Sequence, residues 1–144
     1  QRHGITSLIL IFTACLIGVF SIAAANLTAA VLYAAILLLA PLVIAFAYCA
    51  KCPCAKHACM HVLPGKLTKL LPARQPGPYT RVDIIGVVVP LLAMLLMPQY
   101  WLWRTPVILF VFWALILFAL VEIRMAVCKH CGNELCMLAP AERQ

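Results

Sequence analysis

Four long apolar runs constrain the fold of this chain more than any other feature of its sequence. They cover about residues 5–25, 27–48, 82–101 and 105–127. Each run is close to the roughly 20 residues that an α-helix needs to cross a hydrocarbon core of about 30 Å. The runs are continuously apolar rather than alternating, which disfavours the strands of a membrane β-barrel. The sequence therefore predicts an all-α, four-helix transmembrane bundle.

The composition leads to the same class of protein. Hydrophobic residues make up 66% of the 144 residues, and charged residues make up only 10%. Soluble domains average about 45–50% apolar, and the polar sequence here is too short to cover a soluble surface. We interpret residues 1–144 as a single membrane domain. The net charge of +7 does not indicate nucleic acid binding, because no surface of interleaved basic and aromatic residues accompanies it.

Lysine and arginine are distributed unequally between the two ends of the predicted helices. Of the 11 such residues, only Arg104 lies between the third and fourth runs, and the others lie on the side of the termini and the middle loop. Cytoplasmic loops carry the excess of positive charge in membrane proteins. We therefore expect both termini, the loop 49–81 and the tail 128–144 to face the cytoplasm of a bacterial or archaeal inner (plasma) membrane.

Local signals predict where the helices begin, bend and end. The short polar stretch around Asn26 predicts a tight hairpin in which Asn26 or Thr28 caps the second helix. Pro41, Pro90 and Pro98 are expected to kink or end the second and third helices.

The predicted spans contain charged residues only near their ends. Asp83 begins the third run and Glu122 lies near the end of the fourth, so either can pair with Arg81 or Arg124 across helices. Proton and ion paths usually place charges near the middle of the membrane, which disfavours a pump or channel. The sequence has no acid–base pair in a plausible cleft and no cofactor fingerprint, so we expect a protein that is not an enzyme.

The middle loop 49–81 has two parts with different chemistry. Its first part carries cysteine and histidine, and residues 62–72 mix leucine with lysine. A basic amphipathic segment of this kind is typical of a chain that lies on an anionic cytoplasmic leaflet. Membrane lipid is therefore an expected partner, together with other membrane or cytoplasmic protein subunits.

Seven of the eight cysteines lie in two short polar segments, as Cys-x2-Cys-x-Cys-x4-Cys and Cys-x2-Cys-x4-Cys. Such clusters favour metal over disulfides in a reducing cytoplasm. Cys15 is isolated in the first run and is interpreted as a small buried residue. The candidate metal ligands are Cys49, Cys52, Cys54, Cys59, Cys128, Cys131, Cys136, His57 and His61, with His130 as a further imidazole.

The second cluster resembles a known metal-binding turn. Residues 128–133, Cys-Lys-His-Cys-Gly-Asn, resemble a zinc-ribbon or rubredoxin-type knuckle, in which glycine follows the second cysteine. The pair Cys49 and Cys52 leaves the second helix as Cys128 and Cys131 leave the fourth. If those helix ends are neighbours, the two pairs can close one four-thiolate site. Such a site suits zinc, with an iron–sulfur cluster as the alternative, although the spacing does not match the ferredoxin pattern.

The remaining ligands permit a second metal ion. Cys54, Cys59 and Cys136 with His57 or His61 supply three thiolates and one imidazole, which is a common structural zinc set. A fully ligated zinc would join the middle loop to the tail and stiffen the cytoplasmic face. This cysteine-rich metal-binding cap is the part of the predicted fold that carries its function.

Two transport or redox families bear comparison. Four-helix membrane thiol oxidases, which work with a quinone, are similar in size and in having paired cysteines, but their reactive cysteines lie on the oxidising side. Small bacterial mercury carriers are similar in their few helices and paired cysteines, but their relay includes a pair within the first helix, where this chain has only Cys15. We expect a small membrane subunit or scaffold that docks a partner protein; the alternatives are an iron–sulfur electron-transfer subunit and soft-metal transport or sensing.

Overall fold

The four apolar runs form four long helical spans in the computed structural model, which describes residues 2–53, 62–72, 74–131 and 133. Each span has 22 to 25 residues and is long and apolar enough to cross a membrane. The spans are Arg2–Ala23, Leu27–Lys51, Arg81–Leu102 and Pro106–Val127. The described residues form helices, turns and loops without a β-strand. The prediction of an all-helical fold with four helices long and apolar enough to span a membrane is thereby confirmed.

The first span is a single helix, and each of the other three consists of one main helix with a short extension. The described α-helices are α1 (Arg2–Ala23), α2 (Leu27–Ala47), α3 (Val62–Leu67), α4 (Arg81–Leu96), α5 (Gln99–Leu102) and α6 (Pro106–Glu122). A 3₁₀ turn, Cys49–Lys51, follows α2, and a π-helical segment, Ile123–Val127, follows α6 and leads into a second 3₁₀ turn, Cys128–His130.

Asn26 and the three prolines in the second and third spans occupy different positions relative to the helix ends. Asn26 caps α2, because its side-chain oxygen accepts a hydrogen bond of 3.0 Å from the backbone N–H of Ala29. The helices α2 and α4 continue through Pro41 and Pro90, respectively. The third span is interrupted after Leu96, and Pro98 lies in the break before α5.

The helices pack in the spatial order α4, α2, α1, α6. Helix α1 packs mainly against α6 and α2, and α2 packs against α4. Two glycines permit close approaches. A Cβ at Gly18 would lie 3.0 Å from the ring of Tyr33, and a Cβ at Gly86 would lie 2.8 Å from the Cβ of Ala47. Small residues therefore set the distances between α1 and α2 and between α2 and α4.

The interior of the bundle is small and the exterior is apolar. Tyr33 is fully buried, and its hydroxyl donates a hydrogen bond of 2.8 Å to the carbonyl oxygen of Met94. Large apolar side chains such as Phe20, Leu38 and Phe118 point outward. An exposed apolar surface on every long helix is what lipid-facing helices require.

Candidate metal centre

The two Cys-x2-Cys motifs adopt the same backbone turn. The N–H of Cys52 donates to the carbonyl of Cys49 at 3.1 Å, and the N–H of Cys131 donates to that of Cys128 at 3.2 Å. Cys52 and Cys131 both leave the turn with extended backbone, at ψ of 125° and 130°. In a 3₁₀ turn, residues three apart lie on the same side. Each motif therefore presents its two cysteine positions together at the end of a membrane span.

The side chain of Asn133 connects the second motif to the first. Its amide nitrogen lies 3.3 Å from the sulfur of Cys52 and 3.1 Å from the hydroxyl oxygen of Tyr79. Asn133 is only 3% exposed. Only one residue separates Asn133 from Cys131 along the chain, so their Cα atoms lie within about 7 Å. Asn133 therefore places the chain just after the second motif against Cys52 of the first, at the end of the bundle that we call the cysteine end.

The sequence analysis made a shared site conditional on the ends of the second and fourth helices being neighbours. In the structure, α1 lies between α2 and α6. The chain after α6 crosses that distance, and Asn133 makes the contact with Cys52.

Two stacked tyrosines form one wall of this region. The rings of Tyr48 and Tyr79 lie 4.1 Å apart, centroid to centroid, and are nearly parallel at 9°. Tyr48 immediately precedes Cys49, and Tyr79 immediately precedes the cap of α4. The stack joins the end of α2 to the start of α4, and the Tyr79 hydroxyl holds the Asn133 amide beside Cys52.

Asp83 fixes the first cysteine turn through Lys51, which lies between Cys49 and Cys52. The Lys51 ammonium lies 2.8 Å from one carboxylate oxygen of Asp83, and the guanidinium of Arg74 lies 2.8 Å from the other. The backbone N–H and the hydroxyl of Thr80 also donate to Asp83, each at 2.8 Å. The Asp83 side chain is 1% exposed. A carboxylate this buried needs such partners, because desolvation would otherwise disfavour its charge.

Arg74 ties the returning loop to the last turn of α2. Its guanidinium donates to the carbonyl oxygen of Ala47 at 3.3 Å and lies 5.3 Å from the centre of the Phe46 ring. Carbonyl groups in the last turn of a helix have no partner within the helix, so this bond satisfies one of them. The pairing differs from the sequence expectation: Asp83 bonds Lys51 and Arg74, while Arg81 is exposed. Glu122 contacts His3 at 2.9 Å.

The structure describes four of the nine predicted metal ligands. Cys49, Cys52, Cys128 and Cys131 are all partly exposed at the cysteine end. The other five lie outside the described residues: Cys54, His57, Cys59, His61 and Cys136. The backbone of His130 is described, but its side chain is not. Among the residues that the structure describes, no three histidine, cysteine or acidic side chains are grouped closely enough to hold a metal ion. A shared four-thiolate site stays a prediction.

Cys15 behaves as the sequence suggested. It is 7% exposed and packs with Ala40 and Met94 in the interior of the bundle. It therefore lies within a helix-packing cluster and away from the two cysteine motifs.

Several residues of this region were missed by sequence reasoning. Lys51 was counted only as a topological charge, and Asn133 and the two tyrosines were given no role. A usable signal existed for Asp83, because Thr80 and Asp83 have the spacing of a capping box.

Comparisons of the chain with protein-family models, with curated proteins and with solved structures found no match.

Proposed function

We propose that this chain is a small integral membrane subunit or scaffold whose cytoplasmic face is stabilised by thiolate-bound zinc and docks a partner protein. The observation that supports this best is the contact between Asn133 and Cys52. It sets the chain that follows the second cysteine pair against the first pair, although Asn133 follows Cys52 by 81 positions in the sequence.

The first zinc ion would take its ligands from both motifs. Cys49 and Cys52 supply one pair of thiolates, and Cys128 and Cys131 supply the other. Four thiolates leave zinc no open position for water, so this ion is structural rather than catalytic. A modest movement of the two turns toward each other on binding is expected, since a metal site is seldom fully formed before its ion binds.

The second ion would bind the ligands that follow the two turns. Cys54, Cys59 and Cys136 with His57 or His61 complete a tetrahedral set. Together the two ions would fix the middle loop and the tail to each other. This gives the cysteine end one defined surface, and a defined surface binds a partner with less loss of conformational entropy than two mobile segments.

Metal analysis of the purified protein tests this proposal. Protein prepared in reductant without added metal should be colourless and contain about one or two zinc ions per chain, the number its thiolates can hold. Replacing Cys128 and Cys131 with serine should remove one of them, because the remaining pair alone binds zinc weakly. Cys15→Ser is the matched control, since Cys15 is buried away from both motifs, and it should retain all the zinc.

The opposite results are equally informative. Brown protein containing iron and labile sulfide would contradict the zinc proposal and indicate an iron–sulfur cluster. Zinc content unchanged in the Cys128→Ser/Cys131→Ser variant would show that the two motifs do not share an ion.

The docking part of the proposal requires a separate measurement. Mild detergent extracts of the native membrane should contain the chain in a complex larger than the free chain. The Cys128→Ser/Cys131→Ser variant should shift to the smaller form, and Cys15→Ser should not. The same size for wild type and both variants would contradict a metal-dependent docking face.

A further inference from the structure

The basic segment between the cysteine cluster and the third span is held against the ends of the membrane helices. Helix α3 packs against α1 and α2. Lys51 before the segment and Arg74 after it both bond the same carboxylate, Asp83, in the first turn of α4. Residues 62–72 are therefore fixed at the cysteine end, beside the ends of the spans.

This segment has an inner and an outer side. Gly65 and Thr68 are buried, and the Thr68 hydroxyl donates to the carbonyl oxygen of Gly65 at 2.9 Å. Lys66 and Lys69 are exposed, and Leu70 beside them is 84% exposed. The outer side thus combines two ammonium groups with one protruding leucine, and we call these three residues the Lys66–Leu70 surface.

We propose that the Lys66–Leu70 surface binds the anionic phospholipid headgroups of the leaflet next to the cysteine end. The leucine would enter the boundary between headgroups and acyl chains. The lysines would keep their charged ends among the lipid phosphates, as long basic side chains do at membrane interfaces.

Position and charge favour lipid as the occupant of this surface. The segment lies against two membrane spans, so lipid is within reach without any rearrangement of the fold. Exposed Arg2 and Arg81 lie at the same ends of their spans and extend the positive charge. Anionic lipid attracts basic side chains strongly near the membrane surface, and this attraction falls off within a Debye length. The proposal does not depend on whether the cysteines bind metal.

Photo-crosslinking identifies what occupies the surface. Leu70 is replaced by p-benzoylphenylalanine, and the protein is irradiated in native membranes and in nanodiscs that contain phosphatidylglycerol and phosphatidylcholine. We expect adducts with the mass of a phospholipid, enriched in phosphatidylglycerol. Val82, which is 76% exposed at the start of the third span, is the control position for crosslinking. Its contact with lipid is expected not to depend on the two lysines.

Removing the two charges then tests the recognition. In the Lys66→Gln/Lys69→Gln variant, the phosphatidylglycerol preference of the Leu70 crosslink should fall about 25-fold, roughly fivefold for each lysine. The crosslink at Val82 should keep its lipid composition, and Arg104→Gln at the opposite end should leave the Leu70 crosslink unchanged. An unchanged preference in the double variant, or crosslinks from Leu70 to protein alone, would overturn the proposal.

Discussion

Asp83 joins three stretches of sequence at a single buried carboxylate. It bonds Lys51 in the first cysteine turn, Arg74 in the returning loop and Thr80 at the cap of its own helix. Replacing a whole buried ion pair by apolar residues is often neutral, but removing one partner leaves an unpaired buried charge and is costly. The effect of a substitution at this site therefore depends on how many of the three charges are removed.

Asp83→Asn removes the negative charge and keeps the shape of the side chain. Lys51 and Arg74 would then repel each other at a largely buried position, so we expect the melting temperature in detergent to fall by roughly 10 °C. Removing one of the two cations as well, in Asp83→Asn/Lys51→Met, should recover part of that loss.

Glu122→Gln is the matched control for this prediction. The contact of Glu122 with His3 involves two partly exposed side chains, and exposed pairs contribute little to stability. Its melting temperature should stay within about 2 °C of wild type. Equal shifts of the melting temperature in Asp83→Asn and Glu122→Gln would contradict the prediction that the Asp83 network fixes the first cysteine turn.

Asn133 acts on the cysteine end through a hydrogen bond to sulfur. Asn133→Ala removes the donor to Cys52 and leaves the Tyr79 hydroxyl without this partner. Residues that bond a metal ligand typically change metal affinity by 10- to 100-fold when replaced. For the zinc site proposed above, we expect a loss of affinity in that range, measured by competition with a chromophoric chelator.

Gln75→Ala, a substitution at an exposed position of the middle loop, should leave the zinc affinity unchanged. The prediction fails if Asn133→Ala and Gln75→Ala bind zinc as tightly as each other.

At the scale of elements, the crossing of α2 and α4 positions the cysteine end. Gly86 of α4 lies against Ala47, the last residue of α2, and the first cysteine turn begins two residues later. The spacing between these helices therefore controls where Cys49 and Cys52 lie relative to Asp83.

Gly86→Ala should push the two helices apart. The new methyl group would lie 2.8 Å from the Cβ of Ala47, and overpacking of this kind costs about 1–3 kcal/mol of the free energy of unfolding. Adding Ala47→Gly should restore the stability, because it removes the atom that clashes. Unfolding in a denaturing detergent measures both effects.

Gly77→Ala provides the control, since a Cβ at Gly77 has no neighbour within 4 Å. If Gly86→Ala is as stable as Gly77→Ala, the crossing is not close-packed at this point.

The helices could be predicted from the sequence because each depends on a local property. Length and continuous hydropathy define the spans, and Asn26 marks the start of α2 by its own capping bond. The order of the helices could not be predicted, because every span is apolar on all sides and no stripe indicates a neighbour. For the same reason the cysteine pairs could be recognised as motifs, while the bridge between them through Asn133 depends on tertiary packing.

The two ends of the whole molecule differ in charge. The cysteine end is rich in cysteine and positive charge, whereas the opposite end carries Arg104. We expect the cysteine end to face the cytoplasm, because positive loops are retained there. A membrane-impermeant thiol reagent should therefore label the cysteine motifs only after permeabilisation. Buried Cys15 should react under neither condition in the folded protein.

A cysteine placed at the opposite end supplies the control for this labelling. Trp103 is 76% exposed, and Trp103→Cys should be labelled in intact cells. Labelling of the native motifs in intact cells would show that the protein has the opposite orientation in the membrane.

The bonds of the first cysteine turn also impose an order on biosynthesis. Asp83 is translated 32 residues after its partner Lys51, and Asn133 follows Cys52 by 81. At about 5–20 residues per second, the first two spans emerge several seconds before the groups that complete their cysteine turn. The nascent chain thus acquires the contact between Asn133 and Cys52 only after the fourth described span has been synthesised, so completion of the cysteine end requires all four spans.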